Sequence, residues 1–222
     1  MTTRIPPMEV DSIYHIYNRG VNREKIFFSK KNYDYFIYKM SFHFQKKAAI
    51  LAYCLMPNHF HILVKVQSTD FIQGGLRPFF IAYTLAVNNE QNRVGPLFQG
   101  HYQSNLIDSD DYLLECLQYI HANPVKAGLV ARPQEWEYSS YRAYFTKNTN
   151  SMIQTKWIFD FFDSIQEFSA FSQSAIEDRE PVFFKDYSWV CAAGCFLRRA
   201  LEGQESDSFS RNRILVLISL FI

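Results

Sequence analysis

The segment from Leu51 to Val66 constrains the fold more than any other part of the chain, because two apolar runs are separated there by Met56-Pro57-Asn58. Proline fixes φ and asparagine tolerates unusual backbone angles, so Pro57 and Asn58 favour a tight turn. Two strands joined by such a turn fit this pattern better than a helix does. The sequence therefore predicts a β-hairpin over residues 50–66.

Two histidines, His59 and His61, open the second strand of this hairpin. Residues two apart on a strand point to the same face, so both imidazoles should project together, while Phe60 and Ile62 point into a core. Two imidazoles side by side can hold two cis positions of a divalent metal. A core histidine with hydrogen-bonded ring nitrogens is the other interpretation of either residue, and the pair alone does not decide between them.

Helical and extended patterns alternate along the N-terminal two thirds of the chain. Apolar residues recur at helical spacing in 32–47 and again in 76–87, and the segment 108–123 begins with an acidic, cap-forming run and ends at a proline. Residues 13–18 and the end of 97–107 have strand character. The order strand, helix, hairpin, helix, strand, helix predicts an α+β fold, a ferredoxin-like or RRM-like antiparallel sheet with helices on one face.

The C-terminal third of the chain differs in character from the rest. The aromatic segment 136–144 should pack as a cover across the sheet or the helix ends, and it completes a first domain in 1–145. Aromatic residues at helical spacing predict a partly helical C-terminal extension in 146–190. Residues 191–222 fit neither a helix nor a strand and predict an irregular tail, for which a shifted reading frame or a degraded C-terminus is one hypothesis.

Composition and charge favour a cytoplasmic protein with an anionic partner. Residues 1–147 carry 16 Lys and Arg against 12 Asp and Glu, and residues 148–222 carry 7 against 10. A basic N-terminal part suits an anionic ligand, although a solvated surface explains so small a bias nearly as well. Cys54 and Cys116 lie within apolar patterns and are typical of buried thiols in a reducing compartment. The chain shows no signal-peptide pattern, and its final apolar run is too short to span a bilayer, so we expect no membrane association.

The predicted helix in 108–123 places Tyr119 and Asn123 one turn apart. A tyrosine can act as a nucleophile, and an asparagine can supply an oxygen ligand. A metal held near the tyrosine would polarise a phosphodiester oxygen and stabilise charge in the transition state. A phenol with a pKa near ~10 is a weak nucleophile at neutral pH, so it would need such help.

Four segments of the chain, in the same order, resemble one protein family. Residues 56–66, MPNHFHILVKV, resemble the HUH motif (His-hydrophobe-His) of the single-tyrosine HUH transposases, the IS200-like group. Residues 119–130, YIHANPVKAGLV, resemble the tyrosine motif of their REP-associated branch, and segments 14–27 and 95–107 also resemble that branch. A lone HxH motif is weak evidence for the family. An HxH motif followed by YxxxNPVxAG, with the flanking segments in the same order, is specific evidence for it. The resemblance covers residues 12–145.

This resemblance implies a DNA strand-transferase with a divalent metal. Tyr119 would attack one phosphodiester of single-stranded DNA, which gives a 5′-phosphotyrosine link and a free 3′-hydroxyl. Because the bond energy is conserved, strand transfer would need no ATP. His59 and His61 would hold Mg²⁺ or Mn²⁺ on the scissile phosphate, with Asn123 as the third ligand. A helix C-cap is the other interpretation of Asn123.

The resemblance also implies that the partner is single-stranded DNA with hairpins next to the cleaved strand. The protein would then be a monomer or a homodimer of the bacterial cytoplasm, associated with the nucleoid when bound. The side chains expected to contact DNA are Arg19, Arg23, Lys25, Lys65, His101, Lys126 and Arg132. A solvated surface position is the other interpretation of each.

Two other functions fit parts of the sequence. A catalytically silent hairpin-DNA-binding protein would bind structured single strands with no metal requirement, but it has no need of His59, His61 and Tyr119 together. A metal-dependent hydrolase with water as the nucleophile would leave product ends with no protein attached. The sequence shows no carboxylate obviously paired with the two histidines, which weighs against the hydrolase.

Overall fold

A computed structural model describes residues 7–146 and 152–177, and its centre is a four-stranded antiparallel sheet. The strands are β1 (Ile13–Arg19), β2 (Ala48–Met56), β3 (His59–Val66) and β4 (Gln103–Ile107). Their spatial order is β2-β3-β1-β4, and each neighbouring pair runs antiparallel. The predicted hairpin is confirmed, because only Pro57 and Asn58 separate β2 from β3.

Three helices accompany the sheet: α1 (Lys30–Phe44), α2 (Arg77–Glu90) and α3 (Asp110–Lys126). A π-helical turn over Phe71–Leu76 leads directly into α2. From β1 to β4 the chain therefore follows the order βαββαβ, which is that of the ferredoxin-like unit. The predicted α+β fold is confirmed.

The helices cover both faces of the sheet. Phe60 of β3 packs against Phe36 of α1 and Phe80 of α2, with ring centroids 5.2 and 5.6 Å apart. The next residue, His61, faces Tyr119 of α3 at 5.1 Å. Because neighbouring residues of a strand point to opposite faces, α1 and α2 share one face, while α3 covers the other. The prediction that the helices lie on one face is therefore wrong for α3. Every residue of β2 is buried, so the sheet needs a layer on each side.

Helix α3 begins as predicted and ends later. The Ser109 hydroxyl accepts a hydrogen bond from a first-turn N–H. The predicted end near Asn123 is wrong, because Pro124 lies inside the last turn and the helix ends at Lys126. Pro124 has no N–H to donate, but helical hydrogen bonds continue beyond it, because the N–H of Ala127 donates to the Asn123 carbonyl at 2.9 Å.

Residues 133–146, here named the cover segment, lie along the outer edge of β2. The indole N–H of Trp136 donates to the Leu55 carbonyl at 3.0 Å, and the Leu55 N–H donates to the Tyr138 carbonyl at 2.9 Å. An edge strand with free N–H and C=O groups is a site for unwanted pairing, and the cover segment satisfies these groups. The predicted role of the aromatic segment 136–144 is confirmed.

The buried side chain of Ser140 connects the cover segment to β2 and α3, and its replacement should destabilise the protein. Its hydroxyl accepts from the Tyr53 N–H at 2.9 Å, contacts the Tyr53 carbonyl at 3.2 Å, and lies 2.9 Å from Nε2 of His121. We expect Ser140→Ala to lower the free energy of unfolding by about 2–3 kcal/mol, since it leaves buried polar groups without this partner. Urea unfolding measures the change. The exposed Thr146→Ala is the control and should change it by less than about 0.5 kcal/mol; equal effects of the two substitutions would contradict the assignment.

The described part of the C-terminal extension contains α4 (Lys156–Phe159) and α5 (Ile165–Glu177). Phe168 of α5 stacks on Tyr144 of the cover segment, with ring centroids 4.8 Å apart. The side chain of Gln118 in α3 donates to the carbonyl of Phe171 in α5. The described part of the extension therefore contains two helices, and α5 packs against the cover segment and α3. The predicted tail in 191–222 lies outside the described residues.

The described residues include two cysteines, and their helices can be compared with those that span a membrane. Cys54 and Cys116 are buried thiols, as predicted. In the two described ranges no helix is both long enough and apolar enough to cross a membrane.

Candidate active site

His59, His61 and Tyr119 lie together on the face of the sheet that α3 covers. The ring centroids of His59 and His61 are 5.2 Å apart, and those of His61 and Tyr119 are 5.1 Å apart. In each pair the ring planes meet at 83°, so the rings contact edge to face. Strand β3 aligns the two histidines, and α3 places the tyrosine across them.

His59 is held by the turn residue that precedes it. Its Nδ1 lies 2.7 Å from Oδ1 of Asn58, and Nδ2 of Asn58 donates to the Arg23 carbonyl at 3.2 Å. An amide whose nitrogen is engaged in this way presents its oxygen to the ring, so His59 donates from Nδ1. The lone pair of the neutral His59 ring is therefore on Nε2.

His61 pairs with a second histidine from the neighbouring strand. Its Nδ1 lies 2.9 Å from Nε2 of His15 on β1, and both side chains are buried. Among the residues that the structure describes, Nε2 of His61 has no hydrogen-bond partner although it is buried. A buried polar atom without a partner is costly, so this nitrogen is a position that a ligand can satisfy.

Asn123 is buried beside His59, one helical turn after Tyr119. Its side chain faces His59, and its Nδ2 donates to the Tyr119 carbonyl at 3.4 Å. The interpretation of Asn123 as a helix C-cap is wrong, because α3 continues to Lys126 and the cap is Ala127. Asn123 is thus a buried polar side chain facing one of the histidines.

Burial keeps the histidines of this site neutral at pH 7. It lowers the pKa of His59 to about 4; the nearby Asn123 side chain opposes this shift, and the charge of Arg19 adds to it. Burial lowers the pKa of His15 to about 3. It also holds the pKa of His61 well below its usual range, with smaller contributions from His15 and His59. A neutral imidazole keeps the lone pair that a metal needs.

These residues suit a divalent ion held by two imidazole nitrogens and one amide oxygen. No group of three or more His, Cys, Asp and Glu side chains that could hold a metal occurs in residues 7–146 and 152–177. Asn123, which is buried beside His59, is the residue that would supply a third protein ligand. Imidazole suits Mn²⁺ and Zn²⁺, and amide oxygen suits Mg²⁺ and Mn²⁺. The buried Nε2 of His61 is the observation in favour of a ligand here.

Several of the basic residues predicted to contact DNA lie near His59. Arg19 is paired with His59 in the register of β1 and β3. The loop containing Arg23 docks on the hairpin turn through its backbone, and Lys25 in the same loop is exposed. The imidazole of His101 is exposed, and the preceding residue is bonded to β1 through Asn18. In α3, Lys126 is exposed three residues after Asn123.

Lys65 and Arg132 are engaged in intramolecular contacts. Nζ of Lys65 lies 3.7 Å from the ring centroid of Trp157 and 3.6 Å from the carboxylate of Asp11. Lys65 is also six residues along β3 from the first histidine, which is about 20 Å on a strand. Arg132 forms an ion pair with Glu135 at 2.8 Å. Lys65 therefore connects β3 with the C-terminal extension.

Sequence patterns do not single out His15 or Asn58 as parts of this site. A single histidine in an apolar strand is typical of a core residue, and an asparagine after proline is typical of a turn. The only signal for His15 is its spacing from Tyr17, which places both rings on one face of β1. The contact of His15 with His61 appears only once the strands are paired, and that of Asn58 with His59 only once the turn is folded.

Comparison with known families gives a match over this region. A family model described as Transposase IS200 like matches residues 9–123, just over half of the chain. The matched range begins before β1 and ends at Asn123. It contains His59, His61 and Tyr119.

Two individual proteins are similar to parts of the chain. A Haemophilus influenzae protein named as a candidate REP-associated tyrosine transposase is 28% identical over 102 residues, and the alignment spans 41% of this chain and 57% of that protein. A solved structure, described as a REP-associated tyrosine transposase bound to a REP hairpin, superposes with a TM-score of 0.53 at 14% identity. It covers 68% of this chain and 89% of the other, and at this identity the likeness concerns the fold alone.

Proposed function

The chain belongs to the family of IS200-like transposases, and from this premise we propose that it cleaves and rejoins single-stranded DNA through a 5′-phosphotyrosine intermediate. The observation that carries the proposal is the edge-to-face contact between Tyr119 and His61, with His59 beside them. A nucleophile next to a pair of neutral imidazoles that can hold a metal suits phosphoryl transfer.

In the proposed reaction the phenol oxygen of Tyr119 attacks the phosphorus of one phosphodiester. A bond forms between phosphorus and this oxygen, and the bond between phosphorus and the 3′ oxygen breaks. The phenol proton passes to water, and the 3′ oxygen takes up a proton and leaves as a hydroxyl. One phosphodiester replaces another, so the step needs no ATP, and a 3′-hydroxyl of another strand can reverse it.

The surrounding residues would prepare the site for this step. His59, His61 and Asn123 would hold Mg²⁺ or Mn²⁺, which would polarise a phosphate oxygen and offset charge in the transition state. Asn58 keeps the lone pair of His59 on Nε2 through its hydrogen bond to Nδ1. Arg19, paired with His59 across the strands, would attract the phosphate backbone.

DNA with a hairpin next to the cleaved strand is the proposed partner. In support, the protein of similar fold is described as bound to a REP hairpin. In this chain Arg19, Arg23, Lys25, His101 and Lys126 would contact phosphates around the site and position the strand. Such contacts carry no sequence information, so hairpin choice would depend on other groups.

A hairpin-DNA-binding protein without catalytic activity is the second candidate. The observation in its favour is that the hydroxyl oxygen of Tyr119 is buried. A phosphate can reach this oxygen only if the side chain or its surroundings move. A pure binder would need no such movement and no metal.

A denaturing gel separates these functions. The full-length protein is mixed with labelled single-stranded DNA that carries hairpins from the flanks of its own gene, in Mn²⁺, in Mg²⁺ or in EDTA. We expect a band of covalent protein–DNA adduct in the metal lanes only. We also expect His59→Ala to remove the adduct and the metal dependence together, since one imidazole ligand is lost.

The other outcomes of this experiment are equally specific. A retarded complex on a native gel with no adduct in any lane would establish a hairpin-DNA-binding protein without catalytic activity. Cleaved DNA with no attached protein would establish a hydrolase with water as the nucleophile. Adduct formation in EDTA would contradict the role of the metal.

A further inference from the structure

We propose that His15 is a positioning residue that holds His61 with its proton on Nδ1, so that Nε2 keeps its lone pair for a divalent metal. This inference rests on the proposed function, because it assumes that His61 is a metal ligand. His15 lies on β1, a different strand from the two proposed imidazole ligands. It would act through His61 and would not itself touch metal or DNA.

The contact between the two histidines is direct and enclosed. Nε2 of His15 and Nδ1 of His61 are 2.9 Å apart, and the two side chains are 1% and 3% exposed. Their ring centroids lie 5.1 Å apart with 26° between the planes. At such burial water does not compete for the hydrogen bond, so the two rings must satisfy each other.

Two neutral arrangements are compatible with this distance. In one, His15 donates from Nε2, and His61 then carries its own proton on Nε2. In the other, His61 donates from Nδ1, and its Nε2 has a free lone pair. Each arrangement leaves one buried N–H without an acceptor, since Nδ1 of His15 and Nε2 of His61 both lack a hydrogen-bond partner among the described residues.

Only the second arrangement allows a metal on His61. Metal-bound histidines usually donate their other ring N–H to a neighbouring acceptor, which fixes the ring and its tautomer. His59 already has such an acceptor in Asn58 at 2.7 Å. His15 is the equivalent acceptor for His61, so each proposed imidazole ligand has one partner on Nδ1.

Two substitutions separate this role from simple packing. His15→Gln offers a carbonyl oxygen as the acceptor but loses the ring, whereas His15→Phe keeps a ring of similar size and loses the acceptor. If His15 only packs, the Phe variant resembles the wild type and the Gln variant does not. If His15 is an acceptor, the order is reversed.

The first measurement is the tautomer of each histidine in the metal-free protein, by ¹⁵N NMR of the side chains. We expect His61 to carry its proton on Nδ1 in the wild type and in His15→Gln, and on Nε2 in His15→Phe. His59 is the internal control and should keep its proton on Nδ1 in all three proteins, because Asn58 is unchanged. A wild-type His61 with its proton on Nε2 would overturn the proposal.

The second measurement is Mn²⁺ affinity by titration calorimetry, without DNA. We expect His15→Phe to bind Mn²⁺ about 10–100-fold more weakly than the wild type, and His15→Gln to stay within about threefold. Equal affinities of the two variants would overturn the positioning role. A wild type that binds Mn²⁺ with the expected tautomers but forms no DNA adduct would instead remove the proposed function and leave the role of His15 intact.

Discussion

Tyr119→Phe should abolish the covalent protein–DNA adduct and leave DNA binding almost unchanged. The substitution removes the attacking oxygen and keeps the ring that contacts His61 at 5.1 Å. Loss of a nucleophile removes most of an enzyme's rate enhancement, so we expect adduct formation to fall at least about 1000-fold. Affinity for hairpin DNA should stay within about threefold, because no proposed phosphate contact is changed. Denaturing and native gels on the same samples measure the two quantities.

Tyr17→Phe is the matched control for this substitution. Tyr17 lies on the same face of the sheet, and its ring centroid is 6.0 Å from that of His61. It should form the adduct at the wild-type rate within about threefold. Adduct formation by the Tyr119 variant, or its loss in the Tyr17 variant alone, would show that the nucleophile is not Tyr119.

Acid should destabilise the protein strongly between pH 6.5 and pH 5. Burial lowers the pKa of His15 and of His121 to about 3, and that of His59 to about 4. In the unfolded chain a histidine titrates near ~6.5, so below this pH the unfolded state binds protons that the folded state does not. The free energy of unfolding is therefore at its full value above pH ~6.5, and it falls as the pH falls towards the folded pKa values.

The expected loss is large relative to the stability of an ordinary domain. Each of these histidines lowers the free energy of unfolding by about 1.4 kcal/mol per pH unit below ~6.5, hence by about 2 kcal/mol at pH 5. Several together approach the total free energy of unfolding of a typical domain, about 5–15 kcal/mol. Urea unfolding at pH 7.5, 6.5, 5.8 and 5.0 measures the slope.

His121→Gln tests the origin of this slope away from the site. His121 is 2% exposed, and its Nε2 lies 2.9 Å from the Ser140 hydroxyl, a contact that a glutamine amide can replace. The variant should lose up to about 1.4 kcal/mol per pH unit from the slope below ~6.5. The exposed Thr146→Ala, which removes no titratable group, is the control and should keep the wild-type slope. A wild-type stability that is constant from pH 7.5 to 5 would contradict the burial of neutral histidines.

Periodicity predicted the elements on which the site stands. The apolar runs around Pro57 indicated the hairpin, and spacing two on a strand indicated that His59 and His61 share a face. The capped helix with Tyr119 and Asn123 one turn apart was equally visible, because side-chain spacing on a helix is fixed. These are local properties of the sequence.

The parts that could not be predicted depend on contacts between elements. Whether α3 shares the face of α1 or covers the opposite one is decided by how the whole sheet is buried, which the fully buried β2 reveals only in the structure. The bond between His15 and His61 spans 46 residues and depends on strand pairing. Pro124 lies inside the last turn of α3, although a helix usually ends before a proline. Hydrogen bonds formed after Pro124 allow the helix to continue.

Mass spectrometry of the trapped adduct tests the central claim most directly. The protein is incubated with hairpin-bearing single-stranded DNA and Mn²⁺, the DNA is trimmed with nuclease, and the protein is digested and sequenced by fragmentation. The predicted result is a nucleotide joined through its 5′ phosphate to the phenol oxygen of Tyr119, on a peptide that also contains Asn123. A nucleotide on any other residue, or a joined 3′ phosphate, would contradict the proposed mechanism.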